Sequence, residues 1–444
     1  MTDSKTNIAK TLLDKRNIKP GETSQFQKLK LGFNPFPRAG ISDLNSPSGL
    51  IEKLAPIDLE VEKLIEEYVL DSLGLQYQAT ENKFISTVIR GDYGSGKTQT
   101  LLYIKFLLES FSELKDLNKR PYVIYIDNPG VKLTELIGGI ISQIGEENFK
   151  RYIWDISLNG IALNESIKTK LLQFIPRGVS LFEDNTDPFD PVNLNSYKSF
   201  LDAWYLRVLN SNPKRKKEFL DLLKTEVVQI LQKEFNNPTV SLYFFELLSE
   251  NIGINKAWEA LTSGEGKSLD KKEVHLLKAI VQLITKQGYT DFYILVDEFE
   301  DITEGRLNTQ ELDKYLKNLR ALIDKDRTWC AVFSMTSTAL QKLKSASPPL
   351  AERISGRIID LKSLNEPRAK AILINYLNLA RPESSDLFPF DDSGINILIN
   401  LSHGIPRVFL KSCFSFIQRA LEELKEGDTI DEQFVTKHFQ IEEE

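Results

Sequence analysis

The feature that most constrains this chain is the glycine-rich segment Gly-Asp-Tyr-Gly-Ser-Gly-Lys-Thr at residues 91–98. It follows an apolar run at 84–90 and opens a stretch with helical patterning that ends near Phe111. Glycines let the backbone bend with its N–H groups pointing inward, and the start of a helix adds a partial positive charge. A strand, a glycine loop and a helix in this order predict a phosphate-binding loop.

The residue types of this loop predict nucleotide chemistry. Lys97 is expected to reach the β and γ phosphates of ATP, and Thr98 offers a hydroxyl to Mg²⁺. We therefore expect ATP and Mg²⁺ as ligands. The predicted nucleotide-binding residues are Gly91, Asp92, Tyr93, Gly94, Ser95, Gly96, Lys97, Thr98 and Gln99.

A second candidate element is the apolar segment that begins at Asp291 and ends in Asp297 and Glu298. Two adjacent acidic residues that close a buried strand are unfavourable unless they have a function. We expect Asp297 to hold Mg²⁺, through water, and Glu298 to align and deprotonate the attacking water.

The order of apolar runs predicts the fold class. Near-continuous apolar runs at 121–127, 291–298 and 329–337, each ending in polar residues, are typical of strands buried on both faces of a parallel sheet. Helical stretches lie between them, so we predict an α/β fold with a parallel P-loop sheet sandwiched by helices. The run from Trp329 ends in Thr336 and Ser337, at the edge where strand ends meet the ligand in doubly wound sheets.

Lys97 and Asp297 are separated by far more chain than one helix and one strand need, so a large insertion is expected. Its aromatic residues, which include Trp154, Trp204, Tyr243 and Trp258, are read as its own core. The predicted domains are an N-terminal arm (1–50), a first half of the core (51–148), a mostly helical insertion (149–285), a second half of the core (286–362) and a helical lid (363–444).

Two segments each allow two interpretations. Phe33 and Phe36 lie in a proline-rich stretch and either wall an adenine base or fix the arm by apolar contacts. The basic run Lys214-Arg-Lys-Lys217 either meets phosphates or is the solvated start of a helix.

Composition limits which kinds of protein and which kinds of partner remain possible. The formal net charge of −7 means that any nucleic-acid contact must come from local patches. No apolar run approaches the ~18 residues of a membrane span, and the first residues lack the apolar segment of a signal peptide. We therefore expect a cytoplasmic protein with no membrane partner. Only Cys330 and Cys413 are present, which argues against a disulfide framework.

Taken together, these motifs resemble the AAA+ ATPases. The likeness rests on the loop at 91–98, the strand that ends in Asp297-Glu298, the polar-ended strand after it, a Leu-x-x-Arg353 segment and a lid segment Gly-x-Pro-Arg407. The resemblance implies further catalytic roles beside Glu298. Thr336 or Ser337 would be the first sensor, which responds to the γ-phosphate. Arg353 would be the arginine finger that one subunit provides to its neighbour's site, and Arg357 is a competing candidate for that role. Arg407 would be the second sensor.

Within that superfamily, the lid motif and the Asp-Glu strand look like the origin-recognition and initiator branch. The stretch 257–265, followed by 287–298, is also similar to the ATP-binding proteins of BREX-type phage-defence systems.

The resemblance implies an ATPase that switches or remodels a nucleoprotein or protein assembly, in phage defence or DNA maintenance. It implies a homo-oligomer or hetero-oligomer, duplex DNA as a candidate partner, and a protein partner held by the insertion. The alternative is a slowly hydrolysing nucleotide-gated scaffold or sensor that recruits a protein partner through the insertion. An aromatic patch exposed on the insertion would favour that alternative.

Overall fold

The computed structural model describes residues 24–38, 59–75, 85–176, 188–189, 194–205, 209, 212–249, 269–304, 307–325, 328–381 and 384–439. Its strands are β1 (Ser86–Arg90), β2 (Pro121–Ile126), β3 (Asp291–Val296), β4 (Cys330–Met335) and β5 (Ile358–Asp360). They form one parallel sheet in the order β2-β3-β4-β1-β5.

Helices occupy most of the remaining described chain. The helices of the N-terminal half are α1 (Ser24–Gln27), α2 (Leu59–Ser72), α3 (Lys97–Phe111), α4 (Leu133–Ile144), α5 (Glu146–Ala162), α6 (Glu165–Leu172), α7 (Tyr197–Trp204) and α8 (Pro213–Phe235). Those that follow are α9 (Pro238–Leu248), α10 (Leu269–Lys286), α11 (Glu300–Thr303), α12 (Thr309–Lys325), α13 (Ser337–Ala346), α14 (Pro348–Ile354), α15 (Glu366–Leu377), α16 (Asp392–Leu401), α17 (Pro406–Glu423) and α18 (Glu432–His438). The predicted fold class, a parallel sheet with helices, is confirmed.

The register of the sheet brings the ends of its middle strands side by side. Ile126 of β2 pairs with Val296 of β3, and Val296 pairs with Phe333 of β4. All six residues of β4 are buried, as the continuous apolar run predicts for a strand covered on both faces. Asp297, the residue that follows β3, therefore lies beside the end of β2 and beside Ser334 within β4.

The chain divides into two compact units. The first comprises residues 1–66, 90–106 and 359–444. Its hydrophobic cluster joins helices α15–α18, in the predicted lid, to residues of the predicted N-terminal arm. Phe36 stacks on Tyr376 with 5.6 Å between ring centroids, and Lys28 Nζ donates to the carbonyl oxygens of Leu421 and Leu424, both at 2.7 Å. The arm is thus fixed by packing and by a cation at the end of α17.

The second unit comprises residues 67–89 and 107–358. Its hydrophobic cluster contains inward-facing residues of the sheet and of helices α4 to α10. The described aromatic residues of the predicted insertion are in this cluster: Phe149, Trp154, Phe200, Trp204 and Phe244 are fully buried, and Tyr243 and Phe245 nearly so. The domain boundaries stay predictions, and Trp258 lies outside the described residues. No described helix is long and apolar enough to cross a bilayer.

Candidate functional site

The glycine loop of the first unit is built around Lys97, the first residue of α3. The buried Lys97 side chain turns back over the loop, and its Nζ donates to the carbonyl oxygens of Gly91 at 3.1 Å and Asp92 at 3.4 Å. The same Nζ lies 5.2 Å from the centroid of the exposed Tyr93 ring. An ammonium held over a glycine loop by carbonyl oxygens is in a position to exchange them for phosphate oxygens.

Two glycines of this loop are required by its shape. A Cβ at Gly91 would lie 2.3 Å from Ser95 Oγ, and Gly94 has a positive φ of 75°. The buried Ser95 Oγ has no hydrogen-bond partner among the described residues. A loop with an unpartnered buried hydroxyl and a lysine beside it suits an anionic ligand, so the residues present fit a polyphosphate.

The lid contacts the glycine loop within the first unit. The backbone N–H of Arg407 donates to the carbonyl oxygen of Gly94 at 3.1 Å, and a Cβ at Gly94 would lie 2.9 Å from Arg407 Cβ. Arg407 is the second residue of α17, and its side chain is exposed. The structure therefore brings the predicted second sensor beside the predicted phosphate loop.

The acidic pair lies in the second unit, directly after β3. Asp297 is buried and accepts hydrogen bonds from the Tyr125 hydroxyl at 2.9 Å, from the Glu298 backbone N–H at 3.0 Å and from the Ser334 hydroxyl. Mg²⁺ in proteins is usually bound through one or two carboxylates and several waters, so a buried carboxylate oriented by these donors suits Mg²⁺ held through water.

Glu298 differs from Asp297 in exposure and backbone conformation. Its side chain is exposed, and its φ of 50° is in the left-handed region that a glutamate rarely adopts. Its N–H is fixed by Asp297 Oδ1 and by Ser334 Oγ at 3.3 Å. Strained backbone at a polar strand end is typical of functional positions.

Tyr125 and Ser334 were not predicted from the sequence. Burial raises the pKa of the Tyr125 phenol strongly, and the neighbouring Asp297 carboxylate raises it further. The phenol therefore stays protonated and donates to Asp297 throughout the neutral range. Ser334 could have been found, because it is two residues before Thr336 and so lies on the same face of its strand.

The predicted first-sensor residues have local partners. Thr336 caps α13 by accepting from the Ala339 N–H at 3.0 Å, and its hydroxyl donates to Glu304 Oε1 at 2.9 Å. Ser337 is exposed at the first position of α13. Of the hydroxyl residues in β4 and directly after it, Ser334 contacts Asp297 and Thr336 does not.

Both candidate finger arginines have partners within the second unit. The Arg353 guanidinium pairs with the Asp324 carboxylate and donates to the carbonyl oxygen of Pro349 at 2.7 Å. Arg357 Nη2 lies 2.7 Å from Asp71 Oδ2. Each pair is partly exposed, so each arginine could exchange its partner for another anion.

The structure separates the two alternatives for Phe36. Phe36 is buried among the lid aromatics, including Phe390 at 5.9 Å between centroids, and Phe33 is exposed. Phe36 is therefore a packing residue of the arm. The stretch 257–265, on which part of the BREX resemblance rests, lies outside the described residues.

The chain was compared with known proteins. No model of a known protein family matches it, and neither does any curated protein sequence. It is similar to the solved structure of the Aeropyrum pernix ORC1 protein in complex with DNA, with 10% identity, a TM-score of 0.40 and coverage of 88% of this chain and 68% of that one. It is also similar to the Aeropyrum pernix ORC2 protein in ADPNP–ADP complexes, with 13% identity, a TM-score of 0.43 and coverage of 86% and 68%.

Proposed function

We propose that this chain is an ATPase of the AAA+ type that binds ATP with Mg²⁺ and hydrolyses it. The observation that supports this most strongly is the loop at 91–98 between β1 and α3, with the Lys97 ammonium resting on the carbonyl oxygens of Gly91 and Asp92. Such a loop supplies inward-pointing N–H donors and one cation that can change partners, and it has no bulky side chain that would block a phosphate.

Residues of the loop and of the acidic pair have different roles in binding ATP and Mg²⁺. Lys97 exchanges its carbonyl partners for the β and γ phosphates, and the N–H groups at 94–99 bind the remaining phosphate oxygens. The Thr98 hydroxyl would hold Mg²⁺, and Asp297 would hold it through water. When bound, this ion neutralises part of the phosphate charge and polarises the γ-phosphate.

Glu298 is the proposed general base. Its exposed carboxylate takes the proton of the attacking water, and its backbone N–H is held by Asp297 Oδ1 and Ser334 Oγ. Arg407 and either Thr336 or Ser337 are proposed to respond to the γ-phosphate. Loss of that phosphate would then change the contact between Gly94 and Arg407.

We further propose that the ATPase works as an oligomer. An arginine finger at Arg353, or at Arg357, acts only in the site of a neighbouring subunit. The partial exposure of the Arg353 pair with Asp324 supports this, because the guanidinium can leave that carboxylate for a phosphate. The assembly would switch or remodel a nucleoprotein or protein partner, in phage defence or DNA maintenance.

The scaffold alternative is not favoured. The large hydrophobic residues exposed in the described part of the insertion are Leu163, Leu172 and Leu242, and none is aromatic. Its described aromatic residues instead form a core, so the aromatic surface that a recruiting module would need is not found in the described part of the insertion.

The proposal is tested by equilibrium titration of a fluorescent ATP analogue. Lys97→Ala is expected to weaken binding by at least ~100-fold, because it removes a cation from a pair with phosphate. Lys317→Ala is the matched control, since Lys317 is an exposed lysine on α12 that pairs with Asp313. Equal affinity of the Lys97→Ala variant and the control would refute the proposed site.

A further inference from the structure

We propose that the basic cluster Lys214, Arg215, Lys216 and Lys217 binds the phosphate backbone of duplex DNA without regard to sequence. The cluster is the start of α8 in the predicted insertion. It includes none of the residues proposed for ATP hydrolysis, so the two proposals stand or fall separately.

The first observation is the charge of this turn. The first turn of α8 contains no acidic residue, and the Asn212 side chain caps it by accepting from the Arg215 N–H at 3.1 Å. Cations at the positive end of a helix are unfavourable, and like charges one turn apart repel one another. Acidic residues would make this turn more stable, so a bound anion would relieve an unfavourable interaction that the free helix has.

The second observation is that the cluster is rigidly supported. Phe219, one helical turn after Arg215, is fully buried and stacks on Trp204 with 4.8 Å between ring centroids. It also packs edge-on against Phe174, at 5.5 Å. The backbone that presents the four cations is therefore fixed by the aromatic core beneath it, and binding needs little ordering of the protein.

The third observation is that the four cations differ in their contacts with the rest of the protein. Arg215 donates to the carbonyl oxygen of Gln173 at 3.0 Å, and Lys216 Nζ lies 4.1 Å from the centroid of the Tyr205 ring. Lys214 and Lys217 are exposed and have no acidic side chain within ion-pair distance in the described part of the chain. Two cations are thus held in place and two are available to a ligand.

A cleft beside the cluster has room for a phosphate group of the proposed ligand. It has a volume of about 350 Å³ and is lined by Gln173, Phe174, Asn212, Lys214, Arg215 and Glu218. The lining contains one carboxylate, Glu218, and two cations, Lys214 and Arg215, so its net charge is positive. The ring of Tyr205 is covered by Lys216, which disfavours base stacking and favours contact with the phosphates.

The charge of the whole chain points to the same residues. With a net charge of −7, most of the surface repels a nucleic acid, so binding must be concentrated at a positive patch. A solvated helix start, the other interpretation of this run, predicts no such binding.

The test measures fluorescence anisotropy of two labelled duplexes of unrelated sequence, without nucleotide, between about 50 and 200 mM salt. The full chain is compared with Lys214→Gln/Lys217→Gln and with Lys342→Gln/Lys344→Gln. The second pair is the matched control, because those lysines are exposed on α13 and their replacement changes the net charge equally.

We expect the full chain and the control to bind both duplexes equally. The Lys214→Gln/Lys217→Gln variant should bind roughly tenfold or more weakly, with a salt slope smaller by about 2. In the unmutated chain, bound duplex should also protect Lys214 and Lys217 from acetylation, read by mass spectrometry. This second readout does not depend on any variant.

Three results would overturn the proposal: no duplex binding by the full chain, equal affinity and salt slope for both double variants, or unprotected Lys214 and Lys217. Binding to phosphatidylserine vesicles through these lysines, without binding to duplex, would assign the cluster to a membrane surface and would also overturn it. Lys97→Ala should bind duplex normally, which separates this result from the ATPase proposal.

Discussion

The backbone N–H of Arg407 donates a hydrogen bond of 3.1 Å to the carbonyl oxygen of Gly94. Gly94 lies in the middle of the predicted phosphate loop, and Arg407 is at the start of the lid helix α17. The contact joins residues that are more than 300 positions apart in sequence. It gives the lid a direct structural connection to any ligand that moves the loop.

The first prediction concerns Gly94→Ala. The new methyl group would lie 2.9 Å from Arg407 Cβ and from Ile405 Cγ2, at a φ of 75° that alanine adopts only with strain. We expect ATP affinity to fall by at least ~10-fold, which is about 1.4 kcal/mol. Gly138→Ala is the control, because a Cβ there meets no atom within 4 Å. Unchanged affinity of Gly94→Ala in a nucleotide titration would show that the contact has no role.

The second prediction concerns the donors to Asp297. Tyr125→Phe and Ser334→Ala each remove a hydrogen bond to a buried carboxylate. A hydrogen bond to a charged group contributes about 1.5–3 kcal/mol, so Asp297 should be less well positioned. We expect each variant to need a several-fold higher Mg²⁺ concentration for half-maximal ATP hydrolysis.

Tyr122→Phe is the matched control for this experiment. Tyr122 is on the same strand, but its ring packs against Tyr289 and Phe292 and no bond to Asp297 is seen. If Tyr122→Phe and Tyr125→Phe show the same Mg²⁺ dependence, Tyr125 does not position Asp297.

The third prediction concerns the arginine finger. A subunit with Arg353→Ala keeps its own Glu298 but lends no finger, and a Glu298→Gln subunit lends a finger but lacks a base. If Arg353 acts in a neighbouring site, a mixture of these two inactive proteins should regain ATP turnover. Arg357→Ala mixed in the same way with Glu298→Gln tests the competing candidate. No recovery in either mixture would argue against a site completed by a neighbour.

The fourth prediction concerns pH and the lid. Asp391 caps α16 by accepting from the Gly394 N–H at 2.8 Å and from the Ser393 hydroxyl at 2.8 Å. Burial alone would raise the pKa of Asp391, but these hydrogen bonds and one from Thr429 outweigh it, so the pKa is lowered. The carboxylate therefore stabilises the folded chain fully above an unfolded-state pKa of about 3.9, and this contribution is lost as pH falls through the folded-state pKa.

We expect Asp391→Ala to lower the free energy of unfolding by about 1 kcal/mol near neutral pH, with a difference that shrinks below pH of about 4. Asp391→Asn keeps an acceptor for the cap without a titrating group, so it should lose less stability and its stability should depend less on pH. Denaturant unfolding of the three proteins at several pH values measures both effects. A constant difference at all pH values would contradict this account.

The sequence was sufficient for the elements whose pattern is local. The apolar runs predicted β2, β3 and β4, because a strand buried on both faces shows as a near-continuous apolar run in its own sequence. The phosphate loop was predicted for the same reason, since its glycines, lysine and threonine are contiguous.

What was not predicted depends on pairing between distant segments. Tyr125 and Ser334 reach Asp297 only because β2, β3 and β4 pair in one register, which no local pattern encodes. The partner of Arg357 is Asp71, 286 positions away, so the sequence did not indicate that this arginine is already paired. Phe36 likewise allowed two interpretations until the lid aromatics around it were known.

The most direct test of the central claim is phosphate release from ATP by the unmutated chain and by Glu298→Gln, with Mg²⁺ present. The account predicts that the unmutated chain releases phosphate and that Glu298→Gln binds ATP equally well but turns it over at least ~100-fold more slowly. Normal turnover by Glu298→Gln, or no release by the unmutated chain at any protein concentration, would contradict it.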